Sequence, residues 1–296
     1  MELIEEACLM SIMVTTILDM AKYPSFIFDW NTININEFQS SYNYHDCRSL
    51  LQLALTVTSN NYLGNELNSP FQDTPLVYYN CPVPFMTRAV NSTVKPTKLG
   101  HILYDQTHNI VFIVFTGTIN ACMVSINLTH VQIEIEQLLN YQPGMRAHRG
   151  IYGAYLSVRD QIIDTLNKYL PRNPQIVITG HSLGGGLSQL CAFDLAFYNP
   201  IHYFYGSPLI FNDLAAFAFD NFVKNSYRIT NVSDIVTFSP FPVMPNGDIF
   251  CNVGNLVAFQ RNLGKLPLNH SMAYAQEFNL QFKLDNRIPT KEQLMS

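Results

Sequence analysis

The feature that most constrains this chain is the pentapeptide Gly180-His181-Ser182-Leu183-Gly184, because of what lies on either side of it. Before it runs the apolar stretch Gln175-Ile176-Val177-Ile178-Thr179, and after it come the small residues Gly185-Gly186-Leu187-Ser188, which read as a helix start. A strand, a sharp turn and a helix with serine at the apex form a nucleophile elbow. Such a turn strains the serine backbone and brings strand and helix so close that the residues two before and two after it must be glycine or nearly as small. Both are glycine here. A bare G-x-S-x-G arises by chance, so it is the strand-turn-helix setting that makes Ser182 the expected nucleophile.

Beyond Gly100 the chain alternates regularly. Strands are predicted at His101-Tyr104, Ile110-Phe115, Ile201-Tyr205 and Ser226-Val232, with two short β runs within Asp248-Phe259. Helices are predicted at Ile151-Leu170, Leu183-Tyr198, Asn212-Val223 and His270-Asn279, the first carrying Tyr155, Val158, Ile162, Leu166 and Tyr169 on one stripe. Alternation of this kind implies an α/β fold with a mostly parallel sheet covered on both faces, its site at the carboxyl ends of the strands. Up to about residue 95 the signal is irregular, with a helix within Arg48-Leu55 and a Pro- and Asn-rich stretch from Asn60 to Lys98. The expected organisation is therefore an N-terminal helical and irregular extension, 1–95, packed on an α/β domain spanning 96–296.

With 296 residues, 48% of them hydrophobic, there is ample material for a large core. Charged residues make up 13% and the formal net charge is -5 with no basic cluster, so the chain lacks the electrostatic footprint of a nucleic-acid binder. The apolar run Ala7 to Leu18 is too short to span a bilayer, follows Glu2, Glu5 and Glu6 rather than basic residues, and reads as a buried amphipathic helix. The six cysteines are widely scattered, with no C-x-x-C pair and no histidine at metal-ligand spacing. They read as free thiols of a reducing compartment, which with the lack of a signal segment gives an expected cytoplasmic location and no metal site. Four N-x-[ST] sequons, at Asn91, Asn127, Asn231 and Asn269, keep secretion open.

A serine hydroxyl needs a base to take its proton and a carboxylate to hold that base, in the chain order serine, acid, histidine. Only His202 and His270 follow Ser182, and His202 sits inside an apolar strand, which leaves His270 as the base. For the acid, Asp194, Asp213 and Asp220 fall on helices, whereas Asp234 follows a strand at its carboxyl end; Asp234 leads, and Asp248, which also reads as a turn residue, is the reserve. The tetrahedral oxyanion needs hydrogen-bond donors, and the N–H of Leu183 is one that the elbow supplies. Thr118, in the loop Phe115-Thr116-Gly117-Thr118 after a central strand, offers a second through its N–H and O–H, although these residues equally suit a plain turn.

Five further segments follow in order. His148-Arg149-Gly150-Ile151-Tyr152-Gly153-Ala154-Tyr155 is similar to a V-H-x-G-F-x-x-x-Y pattern, and Cys191-Ala192-Phe193-Asp194-Leu195 continues the helix after the elbow. Tyr205-Gly206-Ser207-Pro208 is similar to F-G-x-P, Arg228 to Val236 to R-x-x-N-x-x-D-x-V, and His270-Ser271-Met272-Ala273-Tyr274 stands where H-x-x-Y is placed. With the serine motif Gly180 to Gly185, these patterns resemble the class 3 lipase family, the fungal-lipase-like branch of the α/β-hydrolases. The resemblance implies an α/β-hydrolase fold and carboxylester hydrolysis by Ser182, Asp234 and His270, with Thr118 and Leu183 at the oxyanion. It further implies an acyl-lipid substrate met at a membrane or lipid-droplet interface, and no cofactor. Thr116 replaces the arginine of the family's F-R-G-[TS] loop, and the lid-like segment Ile119-Val131, though apolar, has no tryptophan; the sole one is Trp30. The rival expectations are a catalytically silent lipase-like scaffold and a soluble non-lipid esterase.

Overall fold

The computed structural model of the protein describes residues 25–27, 29–33, 38–79, 96–281 and 283–285. The Ala7-Leu18 run, the sequon at Asn91 and the cysteines at 8 and 81 lie outside them. The chain threads β1 (Ser25–Ile27), α1 (Tyr44–Tyr62), β2 (Gln72–Tyr78), β3 (Thr97–Asp105) and β4 (Ile110–Phe115). Next come α2 (Ala121–Leu128), β5 (Gln132–Glu134), β6 (Arg146–His148), α3 (Arg149–Tyr169), β7 (Gln175–His181) and α4 (Leu183–Asp194). It ends with β8 (Ile201–Tyr205), α5 (Asp213–Phe222), β9 (Ser226–Asn231), β10 (Asn255–Phe259), α6 (Leu266–His270), α7 (Met272–Glu277) and β11 (Lys283–Asp285).

Seven strands form one sheet in the order β10-β9-β8-β7-β4-β3-β2. From β4 to β10 every neighbour is parallel, and only β2 and β3 join antiparallel. Both faces are buried, as β4 displays most directly: Val111, Ile113 and Phe115 enter the core under α3 and α4, while Ile110, Phe112 and Val114 enter the core under α1. A strand with period-2 side chains and helices on either side must be apolar throughout, hence the unbroken Ile110-Val-Phe-Ile-Val-Phe115.

The stretch before residue 95 is part of this arrangement. Helix α1 starts four residues earlier and ends seven later than Arg48-Leu55, because Asn43 caps it by accepting from the N–H groups of His45 and Asp46. Its β-branched end is accommodated by Thr56 and Thr58, which donate to the carbonyls of Gln52 and Ala54. Strand β2, hidden in the Pro-rich stretch, is the sheet's edge, where Pro75 forfeits no central ladder bond. The terminal helix expected at 270–279 is two pieces broken at Ser271, so His270 closes α6 instead of opening the last helix.

One expectation about the cysteines fails. Cys47, Cys191 and Cys251 are free, but Cys122 is disulfide-bonded, which removes the basis for reading all six as thiols of a reducing compartment. Distance along the chain says nothing of which cysteines a fold brings together. Among the described residues no helix is long and apolar enough to cross a membrane.

Candidate active site

Ser182 stands between the last residue of β7 and the first of α4 with φ 61° and ψ -128°, a left-handed conformation that costs a non-glycine residue about 1–3 kcal/mol. The surrounding glycines make that turn sterically feasible. A Cβ on Gly180 would lie 2.2 Å from the Gly184 carbonyl oxygen, and one on Gly184 would lie 2.4 Å from the carbonyl oxygen of Phe115 in β4. Strand and helix therefore touch through bare backbone, and the serine is lifted to the carboxyl edge of the sheet.

Two other segments converge on it. His270, buried at the end of α6, accepts from the Ser182 hydroxyl through Nε2 at 2.7 Å and donates from Nδ1 to Asp234 Oδ2 at 2.8 Å. Asp234 is buried just past β9, and its Oδ1 accepts from the N–H of Val236, so the carboxylate is held at both oxygens. Oδ2 also accepts from the phenol of Tyr274 at 2.9 Å. Burial, and then the neighbouring Asp234 charge, push the Tyr274 pKa far up, so the phenol stays a donor. Gly206, with φ 53°, turns the chain under this group: a Cβ there would meet Asp234, Tyr274 and His270 at 3.1–3.2 Å.

The loop after β4 approaches from the other side. Gly117 is so placed that a Cβ would lie 3.6 Å from Cβ of Ser182, and its N–H donates to Thr58 of α1. Thr118, next in the chain, accepts at Oγ1 from the Asn127 amide of α2 at 2.8 Å, which leaves its own hydroxyl hydrogen free to donate. Leu183 opens α4, so its N–H has no acceptor within the helix. Thr116, in the place of the family's arginine, is buried with an unpartnered hydroxyl.

Five residues support the group in ways that the sequence alone does not assign: Thr58, Asn127, Asn231, Asn269 and His181. Asn231 donates to the carbonyls of Arg261 and Asn269 and accepts from the N–H groups of Ser233 and Arg261, which binds the acid's strand to the base's loop. Asn269 donates to the Ser233 carbonyl. Asn231 and Asn269, two of the four sequon asparagines, are thus buried scaffolding. His181 donates from Nε2 to the His270 carbonyl, and burial, with His270 beside it, drives its pKa well below 6.5, so it is neutral. In sequence, only the segment His270 to Tyr274, standing where H-x-x-Y is placed, points to any such support. Asp248, the reserve acid, accepts instead from Gln132 and Asn246 in a turn. Asp194 is spoken for by Arg159 and Tyr155. His202 lies between the hydroxyls of Ser226 and Ser188, its pKa lowered to about 3 by burial. Among the described residues no three acidic, His or Cys side chains cluster as metal ligands.

A mostly parallel sheet with a strained serine at a strand-helix turn, hydrogen-bonded to a histidine and an aspartate from later loops, defines an α/β-hydrolase fold. The model of the class 3 lipase family matches residues 112–244. The secreted mono- and diacylglycerol lipase A of Penicillium cyclopium is 30% identical over 177 residues, covering 56% of this chain and 54% of that protein. The chain thus spans about half the length of the curated relative it matches. The mono- and diacylglycerol lipase of Aspergillus oryzae superposes with a TM-score of 0.56 over 76% of this chain and 82% of its own, at 22% identity. The Rhizomucor miehei lipase in its propeptide complex does so at 0.57 over 92% and 99%, at 14% identity, a likeness of fold. The matched span carries Thr118, Ser182, Leu183 and Asp234 and is similar to the class 3 lipase family, while His270 lies beyond it.

Proposed function

We propose that the protein is a serine carboxylester hydrolase acting on acyl lipids such as mono- and diacylglycerols. The single observation that carries the reading is the unbroken hydrogen-bonded chain from Ser182 through His270 to Asp234. The likeness to the mono- and diacylglycerol lipase of Penicillium cyclopium supports acylglycerols as the substrate class.

In this mechanism the Ser182 oxygen attacks the ester carbonyl carbon as its proton passes to His270 Nε2. The carbonyl π electrons move to oxygen, and the resulting oxyanion accepts from the Leu183 N–H and from Thr118. Collapse of the intermediate breaks the bond to the alcohol, which takes the proton from His270 and leaves an acyl group on Ser182. A water then gives its proton to His270 and attacks the acyl carbon, and in a second collapse the bond to Ser182 Oγ breaks as His270 returns that proton to it, freeing the fatty acid and restoring the serine hydroxyl. Asp234 keeps Nδ1 protonated, which presents Nε2 as the acceptor, and stabilises the imidazolium in between.

Ser182→Ala removes the nucleophile without touching the glycine contacts. It should lower kcat for a p-nitrophenyl ester by about four to six orders of magnitude with an unchanged melting temperature. Hydrolysis by this variant at the wild-type rate would overturn the proposal, as would failure of a fluorophosphonate probe to label Ser182 in the wild type.

A further inference from the structure

Between β4 and α2 runs the loop Thr116 to Asn120, whose Gly117 comes against Ser182. Its backbone N–H groups are committed one by one. Thr116 donates to the Leu99 carbonyl of β3 at 2.9 Å, Gly117 to Oγ1 of Thr58 on α1 at 3.0 Å, and Ile119 to the Met123 sulfur of α2 at 3.4 Å. Among the described residues, the Thr118 N–H alone of the four from Thr116 to Ile119 has no acceptor. An unmatched donor beside a nucleophile, between neighbours that are tied down, is left for a ligand oxygen.

Thr58 is fitted to hold that arrangement. Its hydroxyl hydrogen goes to the Ala54 carbonyl one turn back at 2.9 Å, so its oxygen meets Gly117 as an acceptor. Gly117 itself is enclosed: a Cβ there would lie 3.3 Å from the His181 carbonyl oxygen, 3.4 Å from the Thr58 methyl and 3.6 Å from the Ser182 Cβ. The bond from α1 sets the rotation of the planar peptide between Thr116 and Gly117, and with it the direction in which Thr118 follows. Asn127 of α2 holds the Thr118 side chain, so the two helices fix different parts of one residue: α2 its hydroxyl, α1 its backbone. Thr58 lies outside residues 112–244, so the family likeness assigns it no role.

We propose that Thr58 is a positioning residue for ester hydrolysis: by accepting the Gly117 N–H, it aims the free Thr118 N–H at the oxyanion that forms on the ester carbonyl. As a part of that reaction this rests on the hydrolase reading. Thr58 acts through the loop and not on the reacting atoms, so its loss weakens what holds the oxyanion and spares what holds the neutral ester.

The test compares kcat and KM for a p-nitrophenyl ester with inhibition by an alkyl trifluoromethyl ketone, using the full chain. The ketone takes the Ser182 oxygen on its carbonyl carbon while the serine proton passes to His270, and its carbonyl oxygen becomes the anion that the loop must hold. Thr58→Val keeps the shape and removes the acceptor. It should lower kcat about tenfold to a hundredfold with KM unchanged, and weaken the ketone by the same factor. Thr58→Ser should restore both. Thr56→Val, which deletes a hydroxyl that donates to the Gln52 carbonyl on the same helix, should behave as wild type. Four results would each overturn the assignment: an unchanged kcat in Thr58→Val, an equal loss in Thr56→Val, no recovery in Thr58→Ser, or a loss confined to KM with the ketone bound as tightly as before. Should Thr58→Val melt early, Thr58→Ala, smaller and a better helix former, gives the same readings. Hydrolysis undiminished by Ser182→Ala would sink the hydrolase reading itself, whereas loss with Ser182→Ala and none with Thr58→Val would sink the role of Thr58 alone.

Discussion

The elbow around Ser182 and the loop around His270 contribute adjacent atoms to one hydrogen-bonded chain, yet they are built in opposite ways. The elbow is local: consecutive residues set its shape, and its tolerances are backbone contacts of 2.2–2.4 Å that any Cβ would violate. The base's loop is held at a distance, by Asn231, Asn269 and Tyr274 bridging segments thirty or more residues apart. A site can therefore draw its rigidity from steric exclusion on one side and from satisfied buried polar groups on the other.

Acid should have the largest effect. His148, His181 and His202 are buried and uncharged, with pKa values lowered to about 3 for His148 and His202 and well below 6.5 for His181, in each case chiefly by burial. The unfolded chain takes up a proton at each near pH 6.5 and the folded chain does not until far lower, so their contribution is complete above that value and is lost as pH falls below it. The melting temperature should drop steadily from pH 7.5 to 5, and His202→Gln should flatten that slope; an unchanged slope would break the assignment. Next in size is Gly184→Ala, which should cost about 3 kcal/mol or more of stability by forcing β4 and α4 apart, read as a fall in denaturation midpoint. Asn231→Ala should cost less, about 2 kcal/mol, but should lower kcat for a soluble ester along with stability, because it releases the loop before His270. Were the larger catalytic loss per unit of stability found at Gly184, the contrast between the two regions would be reversed.

What could be read in advance divides along the same line. The β4 run, the elbow and the strand Ile201-Tyr205 announce themselves because periodicity and glycine placement are local properties. Helix α1 runs past its legible part, since Thr56-Val57-Thr58 in its second half is poor helix material that tertiary burial overrides. Strand β2 is not legible in sequence, because an exposed edge with a proline shows no apolar alternation. Thr58 holding Gly117, and Asn127 holding Thr118, leave no trace in sequence at all.

By itself the sequence determined the parallel sheet, the serine at its apex and the chain order of the residues that could serve it, because each follows from neighbours along the backbone. Only the tertiary structure decided that His270 ends a helix with its ring between Ser182 and Asp234, that two sequon asparagines are buried struts, and that Cys122 is oxidised. Those outcomes depend on which distant groups meet once the apolar faces are buried, and a linear pattern does not carry that information.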